Sequence, residues 1–248
     1  MRAMELTWHE YRDWIGKSII LLPVGSLEQH GPAMPLGVDT ILSTHLAELV
    51  GDKLDGIVLP TIPYGYKSQP GSGGGQLFPG TTSLNGETLV NVVLDVLSET
   101  YRHGGRKFVL LNGHYENTMF LTEAADLFVN RCKGAEVLMV DWASILPDDF
   151  VQELFAEAGF PGWDVEHAGI TETSLMLHFV PELVRKDRII DDQFETKPVF
   201  SIFPPRAEMV PKSGVLYKAT YASREKGEKL VGMVIPKVVE IVRKVYGP

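Results

Sequence analysis

Short apolar runs alternate with segments of helical period from residue 18 to residue 140, and that alternation leaves few folds open. Residues 18–24 form an apolar run too short for a helix, the mark of a strand covered on both faces. Residues 39–54 follow, with Leu42, Leu46 and Leu49 placed for one helix face. A strand over 57–62 and a helix over 88–103 come next, the helix carrying Leu89, Val93, Leu97 and Tyr101 and ended by Gly104-Gly105. A strand over 107–111, a helix over 116–133 that includes Cys132 and stops at Gly134, and a strand over 136–140 complete the series. Strands separated by helices of this length imply right-handed crossovers. The pattern therefore predicts an α/β fold, a mainly parallel sheet sandwiched by helices. Ligands of such sheets collect beyond the carboxyl ends of the strands. No repeat, low-complexity tract or linker divides the 248 residues, which read as a single domain, 1–248.

The rest is less regular. Residues 64–82 hold Ser72-Gly73-Gly74-Gly75 and then Phe78-Pro79-Gly80, a loop of the length that in compact domains is usually functional. As a phosphate cradle it lacks both a helix start and a lysine at the required spacing, so a cover over a pocket is the better reading. Residues 181–213 carry several prolines and read as an arm or an edge hairpin, and Ser223 as the N-cap of a closing helix to about 245, interrupted at Pro236. A net charge of −9 with no basic stripe argues against nucleic acid or an anionic membrane as partner. No apolar run is long enough to span a bilayer, and Glu5 and Glu10 speak against a signal peptide. The single cysteine, Cys132, fits a reducing compartment, so the expected location is cytoplasmic.

The chemistry is concentrated in two pairs. Glu28-Gln29-His30 and His114-Tyr115-Glu116 each set a carboxylate and an imidazole two residues apart, just past a strand end. Positions i and i+2 of an extended segment face the same side, so each pair can present both groups to one spot. One such pair alone is as easily a surface ion pair or a helix cap. Two pairs at two strand ends, with Asp39 between them, together supply two imidazoles and three carboxylates, a set suited to two divalent cations if Asp39 bridges them. Glu28, His30, Asp39, His114 and Glu116 are the candidate ligands, and zinc or manganese both suit the donors. A third cluster, Glu166-His167 with Glu172, is as readily a loop histidine and a first-turn helix acid as a proton-transfer group. Trp142, just past a strand end, can wall a planar ligand. His9, His45, His103 and His178 lack comparable context and read as structural.

Leu22 to Gly31, with Gly25-Ser26-Leu27-Glu28-Gln29-His30, and Asn112-Gly113-His114-Tyr115-Glu116-Asn117 resemble the two metal motifs of the creatininase (creatinine amidohydrolase) family. The resemblance covers nearly the whole chain and extends to Tyr64-Gly65-Tyr66-Lys67-Ser68-Gln69, Phe78 to Leu84, Gly162-Trp163-Asp164, Glu172 to Leu177 and Ala222 to Glu228, which bring it closest to the creatinine-opening members. It implies a layered α/β fold, a homohexamer, and two metal sets: Glu28, Asp39 and His114 for one ion, His30, Asp39 and Glu116 for the other. It further implies that Ser72, Tyr115, Trp142, Trp163, Asp164 and His167 surround a small cyclic substrate, with Glu172 near the metals. One departure is Pro32-Ala33, where creatininase proper carries two histidines, so the ring substrate stays open. Creatinine leads; the alternatives are a ring such as 3-dehydro-scyllo-inosose or a formylated pyrimidine intermediate, for which Lys67 is the only evident phosphate partner. The expected chemistry is metal-assisted hydrolysis of a cyclic amide, with His167 as proton donor and Glu116 and Glu172 as further acid–base groups. A metal-stabilised scaffold without turnover is the rival reading. It would need the ligands without the third cluster.

Overall fold

A computed structural model describes residues 1–247. The elements run α1 (Trp8–Ile15), β1 (Ile19–Val24), α2 (Val38–Leu54), β2 (Ile57–Val58), α3 (Gly86–Arg102), β3 (Lys107–Asn112), α4 (Thr118–Arg131), β4 (Glu136–Asp141), α5 (Asp148–Leu154), α6 (Ile170–Phe179) and α7 (Arg224–Tyr246). The four strands form one parallel sheet in the order β2-β1-β3-β4. The expected α/β architecture is present.

Each central strand feeds both faces. Along β1, Ile20, Leu22 and Val24 enter the core beneath α1, α3 and α4, while Leu21 enters the opposite core with α2, α6 and α7. Strand β3 repeats the division, with Phe108 and Leu110 on one side and Val109 and Leu111 on the other. Side chains of successive strand residues point to opposite faces, so an unbroken apolar run is what a sheet covered twice requires. On α2, Leu42 and Leu46 are buried as the spacing predicts. Leu49 instead lies at the surface and Val50 takes the next core position, because the face follows a period of 3.6 and residue 50 is two full steps of four beyond residue 42.

Several boundaries differ from the sequence reading. Strand β2 is two residues long rather than six, since Pro60 has no N–H for the ladder; the chain still tracks β1 through Leu59 N to Leu21 O at 2.8 Å and Ile62 N to Pro23 O at 3.0 Å. The helix expected from 116 begins as a 3-10 turn, Tyr115–Asn117, before α4, and Cys132 caps α4 rather than lying inside it. Helix α7 runs through Pro236 without interruption. Burial of Leu230, Val234, Ile235, Val238, Val239 and Val242 on both sides of the proline outweighs its cost of about 3 kcal/mol. Residues 181–213 form an arm of 3-10 turns with an isolated bridge from Asp191 to Lys218, and no hairpin. Val199, Phe200 and Phe203 in it are 96%, 66% and 75% exposed.

The register levels the strand ends. Val24 of β1 pairs with Asn112 of β3, and Asn112 with Asp141 of β4. Three strands therefore release their next residues at one height: Gly25 onward, Gly113 onward and Trp142 onward.

Candidate metal centre

Asp39 sits in the first turn of α2, directly below the segment leaving β1. That segment is fixed by Glu28 N donating to Leu36 O at 2.8 Å, and it aims Glu28 and His30 inward. The segment leaving β3 is fixed by His114 N donating to Asn112 Oδ1 at 3.1 Å. Asn117 joins the two ends, its Nδ2 donating to Gly25 O at 3.1 Å and its Oδ1 accepting from Tyr66 N at 2.8 Å.

Two groups of donor atoms converge there: Glu28, Asp39 and His114 in one, and His30, His167 and Glu172 in the other. Asp39 spans them. Its Oδ1 lies 3.0 Å from His30 Nε2 and its Oδ2 lies 3.0 Å from His114 Nδ1. Glu28 Oε2 is 3.2 Å from His114 Nδ1, and Glu172 Oε2 is 3.6 Å from His30 Nε2. Yet Glu28 Oε1, Asp39 Oδ2 and His30 Nε2 are buried without any aligned hydrogen bond. Atoms this close and not aligned to each other point at a shared position rather than at one another.

The remaining ring nitrogens are already committed. His30 Nδ1 lies 3.0 Å from Glu28 O, and His114 Nε2 lies 3.0 Å from Tyr66 O. Each imidazole thus gives its N–H to a backbone carbonyl and keeps its other nitrogen for the carboxylates, the arrangement of metal-ligating histidines. The electrostatics agree. Burial, opposed by His114 and reinforced by Glu116 and Asp39, pushes Glu28 up to about 8. Burial works downward on His114, but Glu116, Glu28 and Asp39 outweigh it and lift the imidazole to about 10. Burial also opposes the charge on Asp39, yet His30 and His114 hold its carboxyl well below the ordinary range. Cations fit this donor set, and in their absence protons take their place.

Glu116 lies outside both groups, unlike the set implied by the sequence. His114 is extended but Tyr115 begins the 3-10 turn, so the i, i+2 rule for one face does not carry to Glu116. Its Oε2 lies 3.4 Å from His114 Nε2, and its Oε1 accepts from Gln69 N at 3.0 Å and from Ser72 Oγ. Glu172, in the first turn of α6, stands beside His30 instead, its Oε2 also accepting from Ala168 N at 2.6 Å.

The glycine run explains itself at this point. A Cβ on Gly73 would lie 2.6 Å from Glu28 Oε1, and one on Gly75 would lie 2.7 Å away, so only glycine lets the loop backbone cover that carboxylate. Gln29, between the paired residues, was not singled out from the sequence. It is buried, and its Nε2 donates to Gly73 O at 3.2 Å and Gly214 O at 2.9 Å while its Oε1 accepts from Gly31 N at 2.9 Å. Both amide hydrogens are then used. His167 Nε2 lies 3.0 Å from Gln29 Nε2 and 2.9 Å from Gln29 O; with the amide hydrogens on the two glycine carbonyls it donates to Gln29 O, and Nδ1 is then the basic nitrogen. Burial and the neighbouring His30 bring His167 down to about 4, which leaves it neutral at pH 7.

Beside the two groups lies a pocket of about 60 Å³ lined by His114, Tyr115, Trp142, Trp163, Glu166 and Glu172, with Asp141, Ala143, Ser144 and Thr171 completing it. Tyr115, Trp142 and Trp163 thus line one pocket. Ser72 is engaged with Glu116, and Asp164 pairs with Lys197 of the arm. Lys67 binds Asn85 Oδ1 at 2.5 Å. Asp141 and Glu166 were not assigned roles from the sequence; the position just past a predicted strand, beside Trp142, was the signal for the first.

The sequence model of the creatininase family, creatinine amidohydrolase, matches residues 4–242. A creatinine amidohydrolase of Pseudomonas putida is 42% identical over 98% of this chain and 96% of its own length. A 3-dehydro-scyllo-inosose hydrolase of Thermotoga maritima is 29% identical over 92% of this chain and 77% of its own. Among solved structures, a mutant creatininase complexed with creatine superimposes with a TM-score of 0.95 at 41% identity, covering 100% of this chain and 99% of that one. Manganese creatininase gives 0.95 at 42% identity over 100% and 99%, and a zinc–zinc mutant form 0.95 at 41% over 100% and 98%. With a matching fold, two groups of candidate ligands and a family match over almost its whole length, the chain belongs to the creatininase family of hydrolases.

Proposed function

We propose that residues 1–248 form one metallohydrolase domain that opens creatinine to creatine. The observation that carries the hydrolytic reading is the pair of imidazoles whose free nitrogens meet buried carboxylates without alignment. In this reading Glu28, Asp39 and His114 hold one ion, and His30 and Asp39 the other. The family resemblance gives Glu116 as the further acid of that second ion, and Glu172, 3.6 Å from His30 Nε2, is the other candidate. Bound there, two divalent ions, zinc or manganese, would polarise a carbonyl and lower the pKa of water.

The chain's own residues do the rest. Trp142 and Trp163 flank a planar ring, and Tyr115 and Ser72 border it. Neutral His167 accepts a proton of the attacking water at Nδ1 and returns it to the ring nitrogen as the C–N bond breaks, leaving a carboxylate and a freed guanidine nitrogen. A starting neutral imidazole suits that relay better than a standing acid would. The pocket is on the scale of a few water molecules, which favours a small ring over a peptide segment. Asp164 would reach substrate only on leaving Lys197.

The ring alternative rests on Pro32-Ala33 and on the inosose hydrolase relative. Lys67, committed to Asn85, removes the support for a phosphorylated formyl substrate. Assays of creatinine, formamides, lactones and inososes with zinc- and manganese-loaded protein test the proposal. Creatinine should be turned over fastest; turnover confined to an inosose or lactone would overturn it.

A further inference from the structure

The pocket beside the metal groups holds three carboxylates and no basic side chain other than His114. Glu172 belongs with His30. Asp141 and Glu166 have no such partner: neither lies within 4.0 Å of a lysine, arginine or histidine nitrogen among the described residues. Glu166 is buried and Asp141 half-buried, so neither carboxyl is freely solvated, and no basic side chain stands against either one.

Their hydrogen bonds leave acceptor sites over. Asp141 Oδ1 accepts from Ala143 N at 3.1 Å and Ser144 N at 3.3 Å, whereas its Oδ2 accepts only from Asn112 Nδ2 at 3.3 Å. Glu166 Oε1 accepts from Thr171 N at 3.0 Å, and its Oε2 accepts only from Thr171 Oγ1. A carboxylate oxygen has two lone-pair sites, so Asp141 Oδ2 and both oxygens of Glu166 keep a free site. These bonds also anchor the two side chains, Asp141 at the end of β4 and Glu166 just before α6, so the free sites are held in place. The same pocket is lined by two indoles, whose faces favour flat, electron-poor cationic groups.

We propose that Asp141 and Glu166 are the specificity residues of this pocket and select rings that present N–H donors, cyclic acylguanidines, against isosteric rings that present an oxo group in the same place. This rests on the hydrolytic reading above and adds the feature of the substrate that the wall reads. An imino or amino group gives hydrogens to the free carboxylate sites; an oxo group would set its lone pairs against them. Sites built to accept from a substrate N–H reject the analogue lacking it by a factor on the order of 10⁴.

Creatinine and 1-methylhydantoin make the matched pair, since they differ only in the exocyclic nitrogen or oxygen. Zinc-loaded wild type, Glu166→Gln and Asp141→Asn are compared for kcat/KM on both rings and, by calorimetry, for Kd of both. Wild type should prefer creatinine in both measurements. Each variant should reduce the creatinine-to-hydantoin ratio by about 10- to 100-fold, the worth of one charge-assisted hydrogen bond. A residue that merely holds α6 or the β4 turn would lower both rings together and leave the ratio where it was, which overturns the proposal. Equal wild-type binding of the two rings also overturns it. If creatinine binds in preference to the hydantoin but is not hydrolysed, the proposed activity fails while the selectivity stands.

Discussion

Asp39→Asn isolates the one carboxylate that both imidazoles share. The amide keeps the size of the side chain and removes one negative charge 3.0 Å from His30 Nε2 and 3.0 Å from His114 Nδ1. Asp39 is almost wholly buried, so little solvent replaces what is lost. A unit charge about 4 Å from another contributes about 4 kcal/mol at an effective dielectric of 20. A dication doubles that attraction, and the amide oxygen, still a ligand, restores part of it. A net loss of about 4 kcal/mol, or about 10³-fold in affinity, is expected at each of the two positions. The assay is metal content per chain after dialysis, followed by titration of the stripped protein with zinc. Wild type should keep two ions per chain and the variant fewer than one. Retention of two tightly held ions by Asp39→Asn would refute Asp39 as the shared ligand.

Three further outcomes are expected. His167→Ala should keep both metals and leave KM for creatinine near wild type while kcat falls by about 10²- to 10⁴-fold, and a kcat within about threefold of wild type at full metal occupancy would remove His167 from the proton path. Gly75→Ala sets a methyl 2.7 Å from Glu28 Oε1 and 2.8 Å from Ser68 Oγ, so it should lower stability by about 1–3 kcal/mol in denaturant melts and weaken metal binding as well. Light scattering should give a mass near six chains, with the exposed Val199, Phe200 and Phe203 of the arm as the first residues to examine at the contacts; a monomer at micromolar concentration would contradict the hexamer.

The fold was legible wherever periodicity carried it. Strands β1, β3 and β4 and helices α2, α3 and α4 lie within a residue or two of their expected limits because their apolar spacing answers directly to two covered faces. The failures have local causes. Pro60 cut β2 short through a missing donor, whereas Pro236 did not cut α7 because buried residues flank it, and a sequence shows the proline in both cases but not the packing. At the site, the Glu28–His30 spacing predicted a common direction correctly. Glu116 lies apart from both groups of donor atoms, because a 3-10 turn that no apolar period announces begins one residue earlier. Gln29 went unnoticed for a related reason. Its partners Gly73, His167 and Gly214 are scattered over the chain, and no spacing rule joins them.

Those scattered partners bear on when the centre can exist during synthesis. Glu28, the first donor, leaves the ribosome long before Glu172, and the Gln29 amide finds its last acceptor only when Gly214 has emerged. The core face that α2 and α6 share is closed by α7, which spans Arg224–Tyr246. A nascent chain therefore passes through most of its length with acidic and imidazole groups displayed but not assembled. In the proposed two-ion reading, metal capture therefore waits until Glu172 and Gly214 have joined Glu28 and Gln29 in the folded chain.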